Sequence, residues 1–103
     1  MFQLGLDDLR MLLATNQSHS IKVGVAYLIR TVTMTYTGRV VTVTDTDIVL
    51  ADAAWVADTG RYYDALRDGK LAEVEPYPDR VIVSRGALVD CAPWGHALPR
   101  AQK

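Results

Sequence analysis

The sequence predicts one mainly β domain: a short N-terminal helix, then about five short, strongly bent strands in a small barrel, with a short helical insertion between strands three and four. Three observations lead there. Leu6, Leu9, Leu12 and Leu13 recur at spacings of three and four, the period of a helix face. From Ile21 the apolar period becomes two, the signature of strands. In VIVSRGALVDC, residues 81–91, two apolar runs meet at Ser84-Arg85-Gly86, where a glycine lets the chain bend sharply without leaving the sheet.

Asp7 and Asp8 suit the positive end of the N-terminal helix, and Thr15-Asn16-Gln17-Ser18 closes it. Ile21, Val23, Val25, Tyr27 and Ile29 then hold odd positions, whereas Val32, Met34 and Tyr36 hold even ones. This change of parity near Ile29-Arg30-Thr31 predicts a bulge, a break or a strong bend. Thr37-Gly38 reads as a turn, Arg39 to Thr44 as a second strand, and Asp45-Thr46-Asp47 as a tight turn. Ile48 to Val56 is apolar on both faces, as an interior strand would be. Asp58 or Thr59 is placed to cap a helix over Arg61 to Arg67, with Gly69 as its left-handed stop. The prolines of Glu75-Pro76-Tyr77-Pro78 predict an extended segment outside any sheet, so 57–79 reads as an insertion. Arg80 to Ser84 and Ala87 to Cys91 are the last strands, and Pro93 to Lys103 an irregular tail.

A chain of 103 residues fits one domain, burying roughly 65% of its unfolded surface. Half the residues are apolar, and 11 basic residues against 12 acidic ones leave a net charge of -1, so nucleic-acid binding would need a patch assembled by folding. Cys91 is the single cysteine, which excludes an intramolecular disulfide and fits a cytoplasmic setting. The N-terminal run carries Asp7, Asp8 and Arg10 and no basic lead, unlike a signal peptide, and no apolar run is long enough to span a bilayer.

TVTMTYTGRVVTVTDTDIVLADAAWV, residues 31–56, resembles the first signature of the Sm-like family, with Leu50-Ala51-Asp52-Ala53 as its ending. VSRGALVDC, residues 83–91, resembles the second, in which the fourth strand bends into the fifth. The sequence resembles phage-type or environmental Sm-like proteins more than the RNA-processing members. It implies a homo-oligomeric ring in which strand four of one subunit pairs with strand five of the next, drawing Val81, Val83, Leu88 and Val89 into an intersubunit sheet. The alternative is a monomer whose last hairpin closes its own barrel.

In RNA-binding members of the family, an Asp and an Asn in the loop between strands two and three join the Arg-Gly loop in a nucleotide pocket. The corresponding residues are Asp45, Thr46, Asp47, Arg85 and Gly86. Asp47 stands where Asn is expected; it cannot donate amide hydrogen bonds, and paired carboxylates repel phosphate. Turn chemistry explains Asp45-Thr46-Asp47 as well. Cys91 and His96, with His19 far off in sequence, are too few for a zinc site, and Asp45-Thr46-Asp47 lacks the glycine and glutamate of a calcium loop. No nucleophile elbow or phosphate loop is present, so neither cofactor nor catalysis is implied. The expected partners are other copies of the chain, RNA as an alternative, and a protein docking on the 57–79 insertion in a phage assembly or adaptor ring.

Overall fold

The computed structural model describes residues 21–103; the expected N-terminal helix and His19 lie outside them. Among the described residues the chain is mainly β, an antiparallel sheet of six strands with one helix: β1 (Ala26–Thr31), β2 (Thr35–Val43), β3 (Asp47–Asp58), α1 (Tyr62–Asp68), β4 (Glu73–Pro76), β5 (Val81–Ser84) and β6 (Leu88–Pro93). A 3₁₀ turn, Arg85–Ala87, joins β5 to β6. The ladder runs β4-β3-β2-β1-β6, and β5 pairs with β3 beside β4. β5 and β6 are not paired with each other, so the ladder is not closed.

Strand directions dictate the shape. Successive antiparallel pairings make β5 and β6 run the same way, as one strand interrupted by the 3₁₀ turn. Ser84 lies opposite Asp47 at the start of β3, and Leu88 lies opposite Thr31 at the end of β1. In a flat sheet these strands would stand about 19 Å apart, four spacings of ~4.8 Å. The four steps from Ser84 to Leu88 reach at most about 14 Å. The sheet must therefore coil until its flanks nearly meet. Two hydrogen bonds fix the meeting: Arg85 N donates to Thr46 O at 2.9 Å, and Val32 N to Ala87 O at 2.9 Å.

Gly38 was expected in a turn but lies within β2. Thr37 faces Ala54 and Arg39 faces Ala51, so two steps along β2 oppose three along β3, and the extra residue bulges at Asp52, with φ of 50°. A Cβ on Gly38 would sit 3.0 Å from Leu50 Cβ and 3.4 Å from Ala53 Cβ. Glycine is there for close approach across the bend. Arg39 holds the bulge by an ion pair to Asp52 at 2.7 Å. The parity change after Ile29 is a break: a hairpin turn in which Thr31 N donates to Met34 O and Met34 N to Thr31 Oγ1.

The bulge at Asp52 gives β3 two buried faces, as its sequence implied. Tyr27, Ile29, Val40, Ile48, Leu50, Ala53 and Val83 form the core inside the coil. Leu28, Ala54 and Val56 pack on the outer face against Ala65, Leu71, Val74 and Trp94 from α1 and the chain after it. Each fully buried Leu or Ile contributes about 1.5–3 kcal/mol.

Three expectations are corrected, two in the insertion and one at the bend between β5 and β6. The residue preceding α1 is Arg61, with no side-chain cap; Asp58 Oδ1 instead accepts Gly60 N at 2.8 Å. Pro76 ends a sixth strand, β4, where it faces Ala54. Ala54 turns its amide toward β2, so this position requires no donor from proline. Gly86 has no positive φ, and a Cβ there would meet only Ser84 Oγ at 3.6 Å, so the bend is a 3₁₀ turn open to other residues. Gly69 does stop α1, at φ 74°.

Two stability predictions follow from β2. Gly38→Val should lower the free energy of unfolding by about 1–3 kcal/mol through overpacking against Leu50. Thr37, fully buried, has a hydroxyl with no hydrogen-bond partner among the described residues. Thr37→Val should therefore raise stability by ~1 kcal/mol, read from the same urea titrations.

Candidate functional site

The residues picked out at the two turns converge. Thr44 Oγ1 accepts the amides of Asp47 (2.9 Å) and Thr46 (3.3 Å), folding the β2–β3 turn around itself. This is the local chemistry a Thr-Asp-Thr-Asp run favours. The turn's carbonyls are then held from the other side: Arg85 N donates to Thr46 O, and Arg85 Nη1 donates to Thr44 O at 2.7 Å. Arg85 thus clamps the turn. Asp45 and Thr46 are exposed, Asp47 opens β3 half-buried, and Gly86 is exposed beside them. The surface offers carboxylate, hydroxyl and guanidinium groups within one small platform, without an aromatic ring.

The four strand residues divide differently. Val83 is only 4% exposed and packs inside the coil; Val81 and Leu88 are half-buried against the same core. Val89 is 59% exposed. Sequence reading missed Ile82, which is 68% exposed. Alternation carries the missing signal: Val81 and Val83 share one face, so the isoleucine between them must take the other.

Cys91 and His96 do not meet. Cys91 packs toward the inner core, whereas His96 lies on the outer face, its Nε2 2.8 Å from Leu66 O and its ring edge-on to Trp94 at 4.9 Å. A Cβ on Gly69 would clash with His96 at 2.6 Å, so that glycine is required by packing as well as by φ. No group of three potential metal ligands occurs among the described residues. On the same outer face Arg30 Nε donates to Asp90 Oδ1 at 2.8 Å, Arg30 Nη2 donates to Asp90 Oδ2, and the guanidinium lies 4.9 Å from the Tyr62 ring centre. Hydrogen bonding to Arg30 holds the Asp90 carboxyl below its usual range. This cluster ties α1 to β1 and β6. Two shallow clefts, of about 240 and 210 Å³, lie beside α1 and the C-terminal tail, away from the turns.

No family model, no curated protein and no solved structure matches the chain. No helix among the described residues is long and apolar enough to cross a membrane.

Burial, with a smaller contribution from Asp90, pushes the Cys91 thiol up to about 11. An unfolded thiol ionises near pH 8.5. Between these values the unfolded chain holds fewer protons than the folded one, so stability falls as pH rises from about 8.5 towards 11. Denaturation midpoints across this window should drop more steeply for the native protein than for Cys91→Ala, in which the raised tyrosines Tyr62 and Tyr77 still titrate.

Proposed function

We propose that this chain is an Sm-like protein of the cytoplasm, a small bent barrel that assembles head to tail into a homo-oligomeric ring and serves as a noncatalytic binding or structural scaffold. One observation carries the reading. The two flanks of the coiled sheet end in β5 and β6, each paired on one side only among the described residues, and each displays a large exposed aliphatic residue, Ile82 and Val89. Strand edges of this kind are templates for another strand, and a rotation that closes satisfies them all. The passage of one bent strand from flank to flank at Arg85-Gly86 also supports the Sm-like likeness. In a phage-type setting the ring would act as an assembly or adaptor element, with α1 and β4 as the decorated surface.

A second reading, RNA binding at the turns, is favoured by the proximity of Arg85 to Asp45, Thr46, Asp47 and Gly86. Two features weigh against it. Arg85 Nη1 is engaged by Thr44 O, and the platform carries two carboxylates.

Native mass spectrometry of protein purified without nuclease separates the readings. A closed multimer of bare protein is the expected result, and a monomer at micromolar concentration would end the ring reading. Extra mass removed by ribonuclease would favour RNA instead. In that case Arg85→Ala should lose the RNA while keeping the ring, and losing its bond to Thr44 should cost about 0.5–1.5 kcal/mol of stability.

A further inference from the structure

The hydrogen-bonding phase of both free edges is set by bonds on either side of them. Arg85 N donates to Thr46 O, so alternate residues back along β5, Val83 and Val81, turn their amides and carbonyls toward β3. Ile82 and Ser84 turn theirs outward. On the other flank Trp94 N donates to Ala26 O, so Ala92 and Asp90 face β1 and Cys91 faces outward. Pro93 also faces outward, with a carbonyl and no N–H. Arg30 faces Asp90 while Thr31 faces Leu88, which leaves Val89 as an extra residue bulged on this edge.

Side chains alternate with the same period. Ile82 points away from its own core, and Cys91 packs toward its core. Facing residues of an antiparallel pair share a sheet face. A second strand on this edge thus brings the outer face of β5 into line with the inner face of β6.

We infer that a second copy of this chain adds to the edge in one register: Ile82 of one copy opposite Cys91 of the next, Ser84 opposite Val89, and Arg80 opposite Pro93, an assignment that rests on the ring proposed above. In this register the outward amide and carbonyl of Ile82 meet those of Cys91, the bulged Val89 lies beside Ser84, and the ladder stops at Pro93, which accepts from Arg80 and donates nothing. A slip of one residue sets outward groups against inward ones. A slip of two either sets proline opposite Ile82 or sets Ser84 against Ala87, whose carbonyl already accepts the Val32 amide. The register also takes Ile82 out of solvent, against the half-buried Cys91 and Leu88 at the margin of the neighbour's core.

Two variants test it. Ile82→Pro removes an N–H that the pairing of β5 with β3 leaves unused among the described residues, so the circular dichroism spectrum should be kept while the multimer is lost. Ile82→Cys, oxidised in the assembled state, should cross-link to Cys91 of the next copy and give a ladder of covalent multimers on a non-reducing gel, since facing Cα atoms stand about 5.5 Å apart. Ile82→Cys with Cys91→Ser should give no ladder. Ser84→Cys, diagonal to Cys91 at about 7–8 Å, should give none. A native protein that is monomeric overturns the ring itself. A multimer that survives Ile82→Pro, or that cross-links through Ser84→Cys instead of Ile82→Cys, overturns the register and leaves the ring standing.

Discussion

The fold depends on a short tether. Three residues, Arg85–Ala87, connect two strands that belong to opposite flanks of the same sheet. Every other feature accommodates that link. The bulge at Asp52 and the bare backbone of Gly38 allow β2 and β3 to bend hard enough for the flanks to approach. The inner core is then assembled from β1, β2, β3 and β5, with Leu88 and Cys91 of β6 at its margin. The same tether explains why hairpins at opposite ends of β2 come together. Thr46 from one and Val32 from the other both bond to the 3₁₀ turn.

The outer face obeys a different logic. Here α1, β4 and the tail cover what the sheet turns away from its core, through Ala65, Val74 and Trp94. Polar groups fix their places: His96 against the end of α1, Arg100 against the carbonyls of Ala53 and Tyr77, and reciprocal bonds between Val74 and Lys103. The Arg30–Asp90 pair and its stacking on Tyr62 join this layer to the sheet. A surface ion pair of this exposure adds little stability by itself.

Much of this was legible in the residues. A run apolar on both faces located β3, and short apolar runs on either side of Arg85-Gly86 located β5 and β6; Gly69 marked the end of α1; Thr-Asp-Thr-Asp marked the turn that Arg85 later meets. What escaped is what depends on tertiary proximity. Gly38 imitates a turn because sequence cannot tell a glycine needed for φ from one needed for clearance, and only the approach of Leu50 distinguishes them. The Val32-Thr33 hairpin carries no turn residues, so the change of parity leaves a bulge, a break and a bend equally open, and only the pairing of β1 with β2 selects the break. Pro76 demoted β4, although its position turns the missing donor away from the ladder. At the candidate site, the residues that converge were named in advance, whereas Arg85's engagement with Thr44 and the exposure of Ile82 depend on the coil.

The tether has a temporal side as well. β1, β2 and β3 form a meander whose contacts are near in sequence, but Ser84 must find Asp47 across 37 positions and Pro93 must find Tyr27 across 66. Loop-closure entropy is charged before such distant contacts reward it. On a ribosome the meander therefore emerges first with its inner face open, and its apolar residues stay uncovered until the closing strand has been synthesised. The segment that completes the core is also the one that supplies β5 on one flank and β6 on the other, so neither flank is in place before the chain has finished folding.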